Sequence, residues 1–309
     1  MTAAPYRRTA PDVPSWPHCA EAPPGGAGCR GRRVEPHAVC LAHLPDAERA
    51  AHLAGLLPGA DLDHRGTRFT EGLLRELLTA LTEPSTAGPR IGQARFEEAV
   101  FHDAVRFDLV RIDGDAVFDG AEIAGNVSFD RAEISGRALF RQVRIGGDGC
   151  FERMTVRRRA VFEGAQVGGS ASFERMRVDG RAVFDGLRTG RHAGFKGMEV
   201  GGFLSLDQAR IGGDGHFDRA RIHLATTLRG LTAGGRVSFA GVAFEGSARV
   251  GPLVCAGTLD LSEAVFGAAM TLEAAATAVR CGGRGGPLRR RCGCGTRPWT
   301  SATRSSRAR

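Results

Sequence analysis

The chain has 309 residues, 44 of them glycine, and only 6% of its residues are aromatic, which suits one elongated domain with a thin core and small ends. Its formal net charge of +8 is misleading, because nine arginines and no acidic residue lie from Arg280 to the C-terminus, and the rest sums to −1. There is no apolar run of eighteen residues, and the opening MTAAPYRRTAPDVPSW is polar and proline-rich. This argues against a membrane span or hydrophobic signal segment and makes a cytoplasmic protein the expectation.

Residues 1–45 carry Cys19, Cys29, Cys40 and His43, the last two in the string CLAHL. A CxxH spacing lets one turn present two ligands to a tetrahedral ion, and the pattern resembles small treble-like zinc modules closed by such a half-site. In a cytoplasmic chain, three thiols and an imidazole this close in sequence fit zinc better than disulfides. Unliganded thiols are the alternative, and His18 or His37 could replace one ligand. Four protein ligands leave no open position, so the zinc expected here is structural and not catalytic.

Residues 46–90 read as a helical cap. DAERAAHLAGLL at 46–57 and TEGLLRELLTALTE at 70–83 are amphipathic. Thr70 is placed to cap the second helix, and Leu73, Leu74, Leu77, Leu78 and Leu81 form its apolar stripe.

From 91 to 279 phenylalanine returns every eleven residues, at Phe96, Phe107, Phe118 and onward to Phe195, with Leu206, Phe217, Leu228 and Phe239 continuing the register. A second apolar position follows five residues later, as at Ile112, Ile123, Ile134 and Ile145. Small residues precede the large ones by two, giving units such as AVFDGAEIAG at Ala116 to Gly125. These spacings of two and three suit short extended segments separated by corners. The surplus residue after each Ile falls beside a glycine, as at Gly125, Gly136 and Gly147, which predicts widened or left-handed corners there. Gly146, Gly168, Gly190, Gly212 and Gly234 recur at twice the interval, so one turn should take about 22 residues and present four sides. With turns about 4.8 Å apart, about eight coils would form a rod on the order of 40 Å long.

These residues resemble the pentapeptide-repeat family, whose A(D/N)Lxx-type units wind into a right-handed quadrilateral β-helix. The resemblance implies an all-β solenoid of about 22 residues per coil behind a small α-helical N-terminal cap. It departs from the family in the extra glycine-bearing corner residue and in the frequent Ile and Val. Family members that mimic double-stranded DNA in shape and charge also imply an alternative function, binding of a topoisomerase or other DNA-binding protein through an acidic ladder.

Such a ladder is present: Glu97, Asp108, Asp119, Asp130, Glu152, Glu163, Glu174, Asp185, Asp207 and Asp218 each follow a central apolar residue. Arginine columns at Arg131, Arg153, Arg175 and Arg219 and at Arg111, Arg144, Arg177, Arg188, Arg210 and Arg221 are spaced to neutralise it. Residues 94–279 hold 24 acidic and 23 basic side chains, which argues against both a strong DNA mimic and direct nucleic-acid binding by the rod. His102, His192, His216 and His223 fall on different coils with no evident carboxylate partner. Cys255 reads as core and Cys150 as outward. The expected function is a non-catalytic protein-interaction scaffold with no cofactor beyond the structural zinc. Such a rod also leaves an end-to-end dimer open. Residues 280–309 lack the register and read as a disordered basic tail, either a nucleic-acid or membrane arm or an out-of-frame end.

Overall fold

The computed structural model describes residues 14–21, 28–82 and 88–282. The reading of the basic tail therefore lies outside the described residues from 283 onward. Among the described residues no helix is long and apolar enough to cross a membrane.

Each turn of the rod is built from four two-residue strands, for example Ala116–Val117, Glu122–Ile123, Val127–Ser128 and Glu133–Ile134. These define sides one to four. Every strand pairs in parallel with its equivalent one turn on: Ala116 with Ala138, Glu122 with Arg144, Val127 with Gly149, and Glu133 with Thr155. This offset is the predicted coil, and the Arg137 N–H spans the same 22 residues to reach the Asp115 carboxylate. Two residues is short for a strand, and each would be unstable alone; stacking supplies both the hydrogen-bond partners and the buried face.

The core is two phenylalanine ladders in herringbone contact. Phe118, Phe140, Phe162 and Phe184 stack with centroids 4.8 to 5.2 Å apart, and Phe129, Phe151 and Phe173 stack at 5.7 and 5.2 Å. Rings eleven residues apart, such as Phe151 and Phe162, meet edge to face at 4.9 Å. Both geometries are favoured by the ring quadrupole, so each ring is held by up to four others.

Among the described residues, sides three and four each contain nine strands, against the eight coils expected. The solenoid begins earlier than the eleven-residue register reveals. Strand β1 (Leu62–Asp63) pairs with Ala94–Arg95, and β2 (Arg68–Phe69) pairs with Val100–Phe101. The offset here is longer than in the rod: the Gln93 N–H reaches back 32 residues to the Asp61 carboxylate. The ten residues of helix α2 (Glu71–Ala80), with the turns that flank it, are inserted between β2 and the first full turn, which hides the period. Helix α1 (Asp46–Ala54) ends short of residue 57, with Gly55 at its C-cap. Thr70 caps α2, its Oγ1 accepting from the Leu73 N–H at 3.2 Å. Leu74, Leu77 and Leu81 of the predicted stripe are buried, with Leu73 and Leu78 packed beside them.

The corners differ from expectation. Left-handed backbone occurs two residues after the central apolar residue, at Gly120, Arg131, Gln142, Arg153, Gly164 and Arg175, with φ between 52° and 69°. The glycines after Ile have ordinary φ and are needed for another reason. A Cβ at Gly168 would lie 2.3 Å from the Gly146 carbonyl oxygen of the preceding turn. Close approach of successive turns selects glycine there, not handedness.

Candidate metal centre

Cys40 is the N-cap of a short 3-10 helix, Leu41–His43. With three residues per turn, positions three apart eclipse, so Cys40 and His43 face the same way. Cys40 Sγ lies 3.5 Å from His43 Nδ1, and Cys19 Sγ lies 3.3 Å from the same nitrogen. Cys29 Sγ lies 3.8 Å from Cys40 Sγ. All four ligand atoms fall within 4.8 Å of one another. The structure thus brings together the four residues singled out by sequence. His18 and His37 stand apart from the cluster: His18 Nδ1 is 3.3 Å from the Trp16 carbonyl, and His37 pairs with Glu48 at 3.0 Å.

The backbone holds this geometry. The Cys19 N–H donates to the Gly31 carbonyl at 2.8 Å, the Cys29 N–H to Glu21 at 2.8 Å, and the Gly31 N–H approaches Cys29 Sγ at 3.4 Å. A Cβ on Gly31 would lie 2.8 Å from Cys40 Sγ, so only glycine leaves room for that sulfur. Cys19 and Cys40 are buried, and none of the three thiols is in a disulfide. The hydrogen bond from Cys40 lowers the Cys29 thiol to about 5. The same contact with Cys29, together with desolvation, pushes Cys40 up.

This module is bonded to the end of the rod. The Arg32 N–H donates to the Arg65 carbonyl at 2.7 Å, the Trp16 indole donates to the Arg30 carbonyl at 2.9 Å, and the Arg30 guanidinium pairs with Glu98 at 2.7 Å. Gly66, at φ +62°, has no room for a Cβ because the Arg30 carbonyl oxygen would be 2.5 Å away. Just beyond, His64 lies in register with Phe96, two residues after β1's Leu62, which pairs with Ala94. Its ring packs against Phe69 and Phe96, with neither nitrogen hydrogen-bonded. Desolvation lowers it to about 4, so it sits neutral in the core.

The acidic ladder proves to be part of the scaffold. Asp207 accepts from Thr227 Oγ1 at 2.6 Å and from the Arg229 N–H of the next turn at 2.8 Å. Asp119 accepts from the Arg141 N–H at 2.7 Å, and Glu152 from Ser172 Oγ at 2.8 Å. Ser128, Ser205 and Ser238 bond to Asp108, Asp185 and Asp218 in the same way. Burial alone would raise Asp207, but the bonds from Thr227 and Arg229 hold it below the usual carboxylate range. Sequence reasoning took these groups as a solvated ladder neutralised by arginine columns and missed the Ser or Thr twenty residues after Asp108, Glu152, Asp185, Asp207 and Asp218.

Three of the histidines do have carboxylate neighbours, contrary to expectation: stacking brings His192 and His223 beside residues one full turn on, and His216 lies near a carboxylate two residues along the chain. His223 Nδ1 lies 2.8 Å from Glu245, His192 lies 3.7 Å from Asp214, and His216 lies 4.0 Å from Asp218. His192, Asp214 and His216 form a second loose cluster, but His192 Nδ1 already accepts the Asp214 N–H at 3.0 Å. Cys255 is buried in the core and Cys150 is half-buried on side three, as read from the sequence.

The sides are unequal. Side four carries cross-turn pairs such as Arg111 with Glu133 and Arg177 with Glu199. Side two has a shallow open groove of about 570 Å³ bordered by Glu122, Arg144, Gln166 and Arg188 and floored by Gly146, Gly168 and Gly190.

A family model for Pentapeptide repeats (9 copies) matches residues 96–144, within the run of stacked turns. No curated protein and no solved structure matches the chain. The matched units, the full-turn register and the four-sided coil agree: residues 96–144 match pentapeptide repeats, within a β-solenoid whose strands pair one turn of 22 residues apart.

Proposed function

We propose that the protein is a non-catalytic interaction scaffold whose rod presents side two to a protein partner carrying an acidic segment. The observation that carries this reading is the inequality of the sides. Most ladder carboxylates of sides one and three, Asp207 and Glu152 among them, are engaged by the next turn, and side four holds cross-turn ion pairs. On side two Arg144 pairs with Glu122 at one end of the groove, but Arg188 lies beside exposed glycine backbone, Arg210 continues the column, and neither of these two arginines has an ion pair among the described residues. Uncompensated arginines along a smooth groove favour an extended acidic chain, through charge complementarity and open backbone. The near balance of 24 acidic and 23 basic side chains over residues 94–279 weighs against both a DNA mimic and a nucleic-acid-binding rod.

The test is affinity capture with the full chain and with two variants. Arg188→Glu combined with Arg210→Glu should abolish capture of the partner, while Arg221→Glu on side four should leave it intact. Capture insensitive to the side-two change would overturn the assignment of the face. Salt-sensitive retention of DNA in place of protein would overturn the scaffold reading itself.

A further inference from the structure

We infer that Cys19, Cys29, Cys40 and His43 bind a single zinc ion that fastens the N-terminal module over the first turn of the rod, independently of any partner the rod carries. A tetrahedral ion with Zn–S near 2.3 Å and Zn–N near 2.0 Å requires sulfurs about 3.8 Å apart and sulfur to nitrogen about 3.6 Å. The Cys29 to Cys40 separation is 3.8 Å, and His43 Nδ1 lies 3.3 and 3.5 Å from Cys19 and Cys40. These three separations come within about 0.3 Å of the tetrahedral values, and all four atoms lie within 4.8 Å of one another.

The donor chemistry agrees. Three thiolates and one imidazole suit zinc among the common biological cations and exclude magnesium and calcium, which take oxygen. A disulfide between Cys29 and Cys40 would use two of the thiols but would leave Cys19 and His43 Nδ1 facing each other with no role. The Gly31 N–H directed at Cys29 Sγ supports the bound thiolate, as outer hydrogen bonds do at metal sites.

The position gives the site its purpose. Among the described residues the module's segments make only isolated bridges, His18 to Arg32 and Arg33 to Cys40, and few of its apolar side chains are buried. Such a segment needs a staple to hold its shape. Its contacts through Arg30 to Glu98 and Arg32 to the Arg65 carbonyl carry that order to the strands β1 and β2, which cover the open edge of the solenoid. A repeat rod requires such an end cover.

The test is metal analysis of the purified full chain together with cobalt substitution. Zinc should be found near one equivalent per chain. Cobalt should give the visible bands of a tetrahedral ion and thiolate charge-transfer absorption, both lost on adding zinc. Cys40→Ser should lower bound zinc at least tenfold and Gly31→Ala should weaken affinity by a similar factor, while His37→Ala should leave both unchanged. Because Cys40→Ser could fail to fold, the cobalt spectrum of the native chain stands as the independent readout. A native chain with no stoichiometric metal, or with an octahedral cobalt spectrum, overturns the inference.

Discussion

In the rod the core rings from Phe118 to Phe173 touch the rings half a turn and a full turn away, so Phe151 meets Phe129, Phe140, Phe162 and Phe173. In the N-terminal module the described buried groups Trp16, Cys19, Val34, Cys40, Leu41 and Leu44 lie on short segments joined by isolated bridges, Val34, Leu41 and Leu44 join the rod's core, and four ligand atoms gather where the rod has ring ladders. Repetition lets one interaction serve many times, and a segment without it needs a point constraint. The difference teaches where stability resides: spread along the rod, and concentrated at one cluster in the module.

The largest expected effect breaks the rod's side of that comparison. Phe151→Ala removes a ring in contact with four others and should cost about 3 to 5 kcal/mol, read by denaturant unfolding. A loss under about 1 kcal/mol would mean that the turns collapse onto the gap and are less tightly registered than the ring distances show.

The second effect lies where the two regions meet. His64 is lowered to about 4 by burial against an ordinary value of 6.5, so the unfolded chain takes up its proton first as pH falls. Stability should be full above about pH 6.5 and decline toward pH 4, by up to about 3 kcal/mol from this group. His52 and His216 are lowered by burial too and add a shallower slope of the same sign. His64→Phe, which extends the Phe96 ladder by one ring, should flatten most of the acid slope in a melting series. An unchanged slope would place the acid sensitivity elsewhere.

Smaller effects separate engaged from merely solvated charge. Asp207→Ala strands the Thr227 hydroxyl and the Arg229 N–H and should cost about 1 to 3 kcal/mol. Glu245→Gln, which only weakens an exposed pair with His223, should change stability by less than about 0.5 kcal/mol. Equal effects at the two sites would return the ladder to a passive surface.

The coil was legible in the sequence because each inward residue bears on its equivalent one full turn later, which leaves a period in the text. The first turn was not, since α2 interrupts it and His64 stands where a phenylalanine is expected. The carboxylate rungs were legible only as pairs twenty residues apart, Asp207 with Thr227 and Glu152 with Ser172, a spacing that means nothing until the turn length is known. Of the cluster, Cys40 and His43 were visible through their local turn. The contributions of Cys19 and Cys29 depend on backbone bonds to Gly31 and Glu21 that no spacing rule records.

The claim that the molecule has one distributed and one point-held region is tested most directly by native-state hydrogen exchange on the full chain, with and without a zinc chelator. The account predicts that chelation strips protection from residues 28–44 and 60–69, reaching the first turn near Phe96 and Phe101, while residues 116–239 exchange as before. Protection that is unchanged everywhere, or lost evenly from module and rod alike, would contradict it.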